Sequence, residues 1–108
     1  MIRPFQKLYH GTSKSSIDNI LLQGIVKKNH NEVYLTADLN VAYKYAKQHD
    51  NSQSAVICIV DAVKMYYDGY IFNHDVSAAE YTVSNVPVDY ITIVTIDAYE
   101  ELSSIVDL

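Results

Sequence analysis

His10, Tyr34, Tyr45 and Glu80 are the residues of this chain whose types and settings suit chemistry. His10 opens the run His10-Gly11-Thr12 after Leu8-Tyr9, and Tyr34 stands within Val33-Tyr34-Leu35-Thr36. Tyr45 follows eleven residues after Tyr34, and Glu80 leads into Tyr81-Thr82-Val83. An imidazole can bond a hydroxyl, two aromatic faces can hold a flat ring, and one carboxylate can stabilise positive charge developing at carbon. The chain has no G-x-S-x-G, P-loop or G-x-G-x-x-G pattern, which sets aside hydrolase, NTPase and Rossmann readings. His30, His49, His74 and Asp75 are scattered without ligand spacing, so no metal is expected. Glu100 and Glu101 read as a solvated helix face.

Local patterns say what must position these residues. Phe5 to His10 reads as a strand, with Leu8 and His10 on one face and Tyr9 on the other. Ser15-x-x-Asp18 opens a short helix bearing Ile17, Ile20 and Leu21, which Gly24 ends. Glu32 to Leu35 is a second strand. Thr36 or Asp38 caps a helix running to about His49, with Val41, Ala42, Tyr45 and Ala46 as its inward stripe. Ala55 to Val60 is a buried strand by its unbroken apolar run. Asp68-Gly69 suggests a hairpin turn between Met65-Tyr66-Tyr67 and Tyr70-Ile71-Phe72. Tyr81 to Val83 and Tyr90 to Ile96 are further strands, and Asp97-x-x-Glu100 caps a terminal helix. The expectation is one α+β domain over 1–108, with two packed, mostly antiparallel sheets flanked by short helices.

Composition narrows the setting. The 108 residues suit one domain and are 49% hydrophobic and 19% charged, an ordinary globular balance. The one cysteine, Cys58, lies inside the apolar strand and reads as a small buried side chain; without a disulfide framework a reducing, cytoplasmic setting is expected. No signal-peptide core or membrane span is read. The formal net charge of −5, with one arginine and seven lysines, works against non-specific polyanion binding.

The ordered set His10-Gly11-Thr12, Val33-Tyr34-Leu35, Tyr45 and Glu80-Tyr81-Thr82-Val83 resembles the His–Tyr–Glu signature of ADP-ribosyltransferases, the superfamily of poly-ADP-ribose polymerases and diphtheria-type toxins. The likeness runs roughly from residue 8 to 94. It implies NAD as a substrate and transfer of ADP-ribose to a macromolecule, with nicotinamide released. By that resemblance His10 bonds an NAD ribose hydroxyl, Gly11 offers its backbone to the nicotinamide carboxamide, and Thr12 supports the adenosine-side ribose. Tyr34 and Tyr45 stack on the nicotinamide from either side. Glu80 bonds the nicotinamide ribose and stabilises the oxocarbenium ion. Ala42 stands where the polymerase branch usually has a small hydroxylated residue. Tyr43, about 200° round the helix from Tyr45, is a poorer stacking candidate.

The same resemblance leaves the biology to variable loops, Val26 to Glu32 and Asp68 to Ala79. It implies a minimal, toxin-like mono-ADP-ribosyltransferase, with a protein acceptor slightly favoured over nucleic acid. Two alternatives stand beside it. One is an RNA 2′-phosphotransferase, an NAD-using relative that shares the His-Gly-Thr element. That family normally has further Arg and His residues for the 2′-phosphate, and a His where Tyr34 stands. The absence of these here, together with Glu80, weighs against it. The other is a module that binds NAD or ADP-ribose without turnover.

Overall fold

Ala55–Val60 is the strand around which the rest is arranged, because all six of its residues are buried. Its side chains alternate between two apolar clusters. Cys58 and Val60 join Leu8, Leu35, Met65, Phe72, Val83 and Val86 on one side, while Ala55, Ile57 and Ile59 join Leu39, Ala42, Ala46 and Ile96 on the other. A strand covered on both faces has no need of polar alternation, which explains the unbroken run in its sequence. Burial also pushes the Cys58 thiol up to about 12, so it stays a neutral packing group.

The structure is a computed structural model that describes residues 3–4, 6–26, 32–49, 55–75 and 80–96. Its strands are β1 (Leu8–Thr12), β2 (Ile25–Val26), β3 (Val33–Leu35), β4 (Ala55–Val60), β5 (Asn73–Asp75), β6 (Glu80–Val83), β7 (Asn85–Val86) and β8 (Ile91–Ile96). Its helices are α1 (Ile17–Gln23), α2 (Leu39–His49) and α3 (Ala62–Tyr67), with 3-10 turns at Lys14–Ser16 and Val88–Tyr90. The α+β expectation holds, with every strand pairing antiparallel and three sheets where two were expected. They are β1-β4-β8, β3-β6-β5 and the ribbon β2-β7. Among the described residues, no helix is long and apolar enough to cross a membrane.

Among the described residues, one isolated backbone bridge joins the two larger sheets. Tyr9 and Thr36 form an antiparallel bridge, Tyr9 N–H donating to Thr36 at 2.7 Å and Thr36 N–H donating back at 2.9 Å. Edge strand β1 of one sheet therefore lies against edge strand β3 of the other. Helix α2 sits over this seam, its start held by Thr36 and Asp38. The Thr36 hydroxyl accepts from Asp38 N–H at 3.1 Å, and the Asp38 carboxylate accepts from Asn40 N–H at 2.9 Å. The expected capping segment is thus the one used. At α1, Gly24 ends the helix at φ 75°, and a Cβ there would come within 2.2 Å of the Val86 carbonyl oxygen.

The hairpin expected around Asp68-Gly69 is absent. Residues Ala62–Tyr67 form α3 instead, and Asp68-Gly69 is the helix exit. The Asp61 carboxylate accepts from Lys64 N–H at 3.1 Å, an N-cap, and Ala62 and Met65 bury themselves three residues apart. A capped helix with a buried stripe outcompetes a two-residue turn signal. The terminal helix expected from Asp97 lies outside the described residues.

Asp68 also anchors a small polar network that ties the end of α3 to the 3-10 turn leading into β8. Lys64 Nζ donates to Asp68 at 2.8 Å, and Tyr90 O–H donates to the same carboxylate oxygen at 2.6 Å. The hydrogen bond from Lys64, then that from Tyr90, holds the Asp68 carboxyl below the usual carboxylate range. The Asp68 bond likewise pushes the Tyr90 hydroxyl up to about 12. A depressed folded-state pKa contributes stability above the unfolded value and loses it as pH falls through the folded one. Stability should therefore decline on acidification below about pH 4, and Asp68→Asn should flatten that decline. Urea midpoints measured from pH 2 to pH 7 check this; parallel wild-type and variant curves would refute it. The network is exposed, so the effect is small.

Candidate active site

The seam between β1 and β3 opens into a cleft of about 240 Å³. It is lined by Tyr9, His10 and Gly11 of β1, Tyr34, Leu35 and Thr36 of and beside β3, Val41, Ala42 and Tyr45 of α2, and Glu80 of β6. His10 and Glu80, 70 residues apart in sequence, are brought together by pairing. The register between β3 and β6 runs Tyr34 to Thr82 and Leu35 to Tyr81. Carried one residue further, it sets Glu80 opposite Thr36, which the Tyr9 bridge ties to β1. A row Tyr9–Thr36–Glu80 thus crosses both sheets, with His10 one residue along.

Each expected site residue can be placed. His10 is half-buried, and its Nδ1–H donates to the Tyr34 carbonyl oxygen at 3.2 Å. That bond orients the ring, and in the neutral imidazole it puts the acceptor lone pair on Nε2. Tyr34 and Tyr45 are 39% and 50% exposed, so each presents ring surface at the cleft mouth instead of filling a core. Tyr43 is partly buried against the second apolar cluster and does not line the cleft, as the helical period requires. Glu80 is half-buried and is the one carboxylate among the described residues of the lining. Thr12 stands apart: it is 9% exposed, paired with Val56, and absent from the lining.

Gly11 is a different matter. A Cβ built there would lie 2.0 Å from the Ala42 carbonyl oxygen and 3.0 Å from Ala46 N. The sequence points to a glycine needed for approach of a ligand. In the structure the close neighbour is the backbone of α2, which can reach β1 only because residues 11, 42 and 46 are small.

Sequence reasoning missed Tyr9, Leu35, Thr36 and Val41. Alternation puts Tyr9 and His10 on opposite faces of β1, yet both line the cleft. The reason is that β1 is an edge strand bridged at a single residue pair, so its margin opens into the cleft. Thr36 carried a usable signal, since its neighbours Tyr34 and Asp38 were already read as site and cap. His74, set aside as scattered, packs its ring on Tyr81 at 4.8 Å, beside the strand that carries Glu80. No group of three or more metal-ligating side chains occurs among the described residues. The cleft is therefore an aromatic-walled slot with an oriented imidazole and one carboxylate. It suits a flat ring joined to a polyol at a carbon that becomes positively charged.

If Tyr34 and Tyr45 clamp a nicotinamide ring, as the sequence resemblance implies, the demand is measurable. Stacking and cation–π attraction contribute about 0.5–2 kcal/mol per ring. Tyr45→Ala should therefore weaken NAD binding about tenfold, while Tyr45→Phe should change it little. Tyr43→Ala should be milder. Calorimetric titration of folded variants decides this, and wild-type affinity in Tyr45→Ala would remove the clamp.

Comparison with known proteins assigns the family. The model for "RNA 2′-phosphotransferase, Tpt1 / KptA family" matches residues 2–84. A probable RNA 2′-phosphotransferase of Trichormus variabilis is 34% identical over 84 residues, covering 78% of this chain and 44% of that protein. Its counterpart from Nostoc punctiforme is 31% identical over 88 residues, covering 82% and 46%. That of Agrobacterium fabrum is 30% identical over 95 residues, covering 85% and 47%. The chain thus spans less than half the length of these relatives. These matches overturn the expected membership of the His–Tyr–Glu ADP-ribosyltransferases. With it go the mono-ADP-ribosyltransferase activity, the toxin-like reading and the preference for a protein acceptor. Tyr34 and Glu80 were weighed against the phosphotransferase alternative, yet both lie inside the matched segment, so neither excludes it. With residues 2–84 inside that model, the chain belongs to the RNA 2′-phosphotransferase, Tpt1 / KptA family.

Proposed function

We propose that this chain supplies the NAD-binding catalytic core of an RNA 2′-phosphotransferase. The observation that carries the reading is that every residue lining the cleft falls within the family match over residues 2–84. The substrates are NAD and an RNA bearing a 2′-phosphate. A phosphate oxygen bonds to the anomeric carbon of the nicotinamide ribose as the C–N bond breaks, and neutral nicotinamide leaves with the bonding pair. The neighbouring ribose 2″-hydroxyl then attacks phosphorus. The RNA 2′-oxygen departs and takes up a proton, leaving ADP-ribose 1″,2″-cyclic phosphate.

The cleft residues fit this sequence in the following roles. Tyr34 and Tyr45 hold the nicotinamide ring at the mouth. His10, oriented through the Tyr34 carbonyl, holds a ribose hydroxyl and takes its proton. Glu80 stabilises positive charge on the ribose as nicotinamide leaves. The volume is below the roughly 300–1,000 Å³ of clefts that enclose drug-sized ligands, so the nicotinamide riboside end fits within and the adenosine end extends outward.

The test is to incubate the chain with NAD and a short RNA carrying one 2′-phosphate. Dephosphorylated RNA and free nicotinamide should appear in equal amounts, and neither without NAD. Nicotinamide release without loss of phosphate from the RNA would reject the phosphotransferase reading.

A further inference from the structure

We propose that Lys44 is the residue with which this chain holds the phosphate of its RNA substrate at the mouth of the cleft. The proposal rests on the phosphotransferase reading for the identity of that substrate. Its starting point is a deficit. Among the described residues, the lining of the cleft contains no lysine and no arginine, and its one carboxylate, Glu80, repels an incoming phosphate. With a net charge of −5 the chain as a whole repels a polyanion too. A phosphate brought to the anomeric carbon therefore needs a cation at the rim.

Few cations are available. Arg3 is the only arginine; it donates to the Tyr67 hydroxyl and lies over that ring, 5.4 Å from its centroid. Lys64 is paired with Asp68 at 2.8 Å. Lys14 and Lys47 are each engaged in interactions of their own. Lys27 and Lys28 lie outside the described residues. Of the described lysines this leaves Lys7 and Lys44. Lys44 belongs to α2, the helix that gives Val41, Ala42 and Tyr45 to the cleft wall.

Helical geometry puts it at the rim. Position 44 is one turn beyond Val41 and about 60° round the axis, on the side away from the buried Ala42 and Ala46. Helical side chains lean toward the N-terminus, so a lysine here extends over the turn that carries Val41. Val41 is 44% exposed and Tyr45 50% exposed, and Lys44 and Gln48 are exposed beside them. This flank of α2 thus sets an aromatic face, an amide and an ammonium group in series, continuous with the cleft. With Tyr45 assigned to the nicotinamide ring, the ammonium group is what this flank offers the RNA, as cations hold the phosphates of single-stranded nucleic acid.

The experiment measures two affinities on the full chain. Binding of a fluorescent single-stranded RNA with one 2′-phosphate is followed by anisotropy across a salt series, and NAD binding by calorimetry without RNA. The variants are Lys44→Glu, Lys44→Arg, and Lys7→Glu as a control with the same change of charge. Lys44→Glu should weaken RNA binding at least tenfold and reduce the slope of log affinity against log salt by about 0.7. It should leave NAD affinity unchanged. Lys44→Arg should restore RNA binding, and Lys7→Glu should stay within about twofold of wild type. Unchanged RNA affinity in Lys44→Glu overturns the proposal. So does an equal loss in Lys7→Glu, which would make the effect one of overall charge. A matching loss of NAD affinity also overturns it, because the lysine would then serve the dinucleotide's own phosphates. If RNA binding depends on Lys44 but NAD removes no phosphate from the RNA, the phosphotransferase reading fails and the lysine assignment stands. If wild type does not prefer the 2′-phosphorylated RNA over the same RNA without it, the lysine assignment fails whatever the turnover.

Discussion

Gly11→Ala should cost about 3 kcal/mol of stability and lower the melting temperature by roughly 10–20 °C. The added methyl would sit 2.0 Å from the Ala42 carbonyl oxygen and 3.0 Å from both Ala42 C and Ala46 N. All three are backbone atoms, so no side-chain rotation relieves the clash; α2 must move away from β1 as a unit. Gly11 does not have a positive φ, so the penalty is steric and not conformational. Moving α2 would loosen Leu39, Ala42 and Ala46 from Ile57 and Ile59, and would displace Val41 and Tyr45 at the cleft wall. NAD affinity should therefore fall together with stability. Thermal unfolding of purified protein, with calorimetric titration at a temperature where the variant is folded, measures both. A melting point within about 2 °C of wild type would mean that the α2 seat does not require a glycine.

The same glycine shows what the sequence could and could not convey. That residue 11 had to be small was legible from His10-Gly11-Thr12; that its neighbour is a helix 31 residues downstream was not, because nothing local records a tertiary contact. The central strand and α2 were legible for the opposite reason. Six consecutive apolar residues state the strand's burial directly. Of the stripe Val41, Ala42, Tyr45 and Ala46 read as inward, Ala42 and Ala46 are buried, while Val41 and Tyr45 stay 44% and 50% exposed because they line the cleft instead of the core. The strands β2, β5 and β7 are two or three residues long and exist only through their partners, so no periodicity announces them. At α3 a true local signal, Asp68-Gly69, was assigned to the wrong structure, since Asp-Gly ends a helix as readily as it turns a hairpin. The family was misread on similar grounds. In the proposed function His10, Tyr34, Tyr45 and Glu80 answer to a flat ring and its ribose. What receives the activated carbon is decided by groups outside that set, such as those along the flank of α2.

Glu80→Gln should reduce nicotinamide release at least a hundredfold, while NAD affinity stays within about threefold of wild type. The substitution keeps the shape of the side chain and removes its charge, so it separates binding from turnover. In the proposed reaction nicotinamide departs from a ribose carbon that gains positive charge as the bond lengthens, and a carboxylate beside that carbon interacts more strongly with the transition state than with bound NAD. That difference, and not binding itself, accelerates the step. The position supports the role: half-buried on β6 and opposite Thr36, Glu80 lines the same cleft as His10 and Tyr34 and is the only carboxylate among the described lining residues. An effect confined to kcat identifies an interaction made in the transition state, whereas a rise in KM alone would identify one made equally in the ground state. His10→Ala provides the contrast. Loss of a group that holds the ribose hydroxyl should weaken NAD binding as well as slow release. Single-turnover release of nicotinamide, measured with NAD and 2′-phosphorylated RNA in excess over their affinities, reads the chemical step directly. Unaltered release in Glu80→Gln would take the carboxylate out of the mechanism and leave the cleft a binding site whose catalytic charge lies elsewhere.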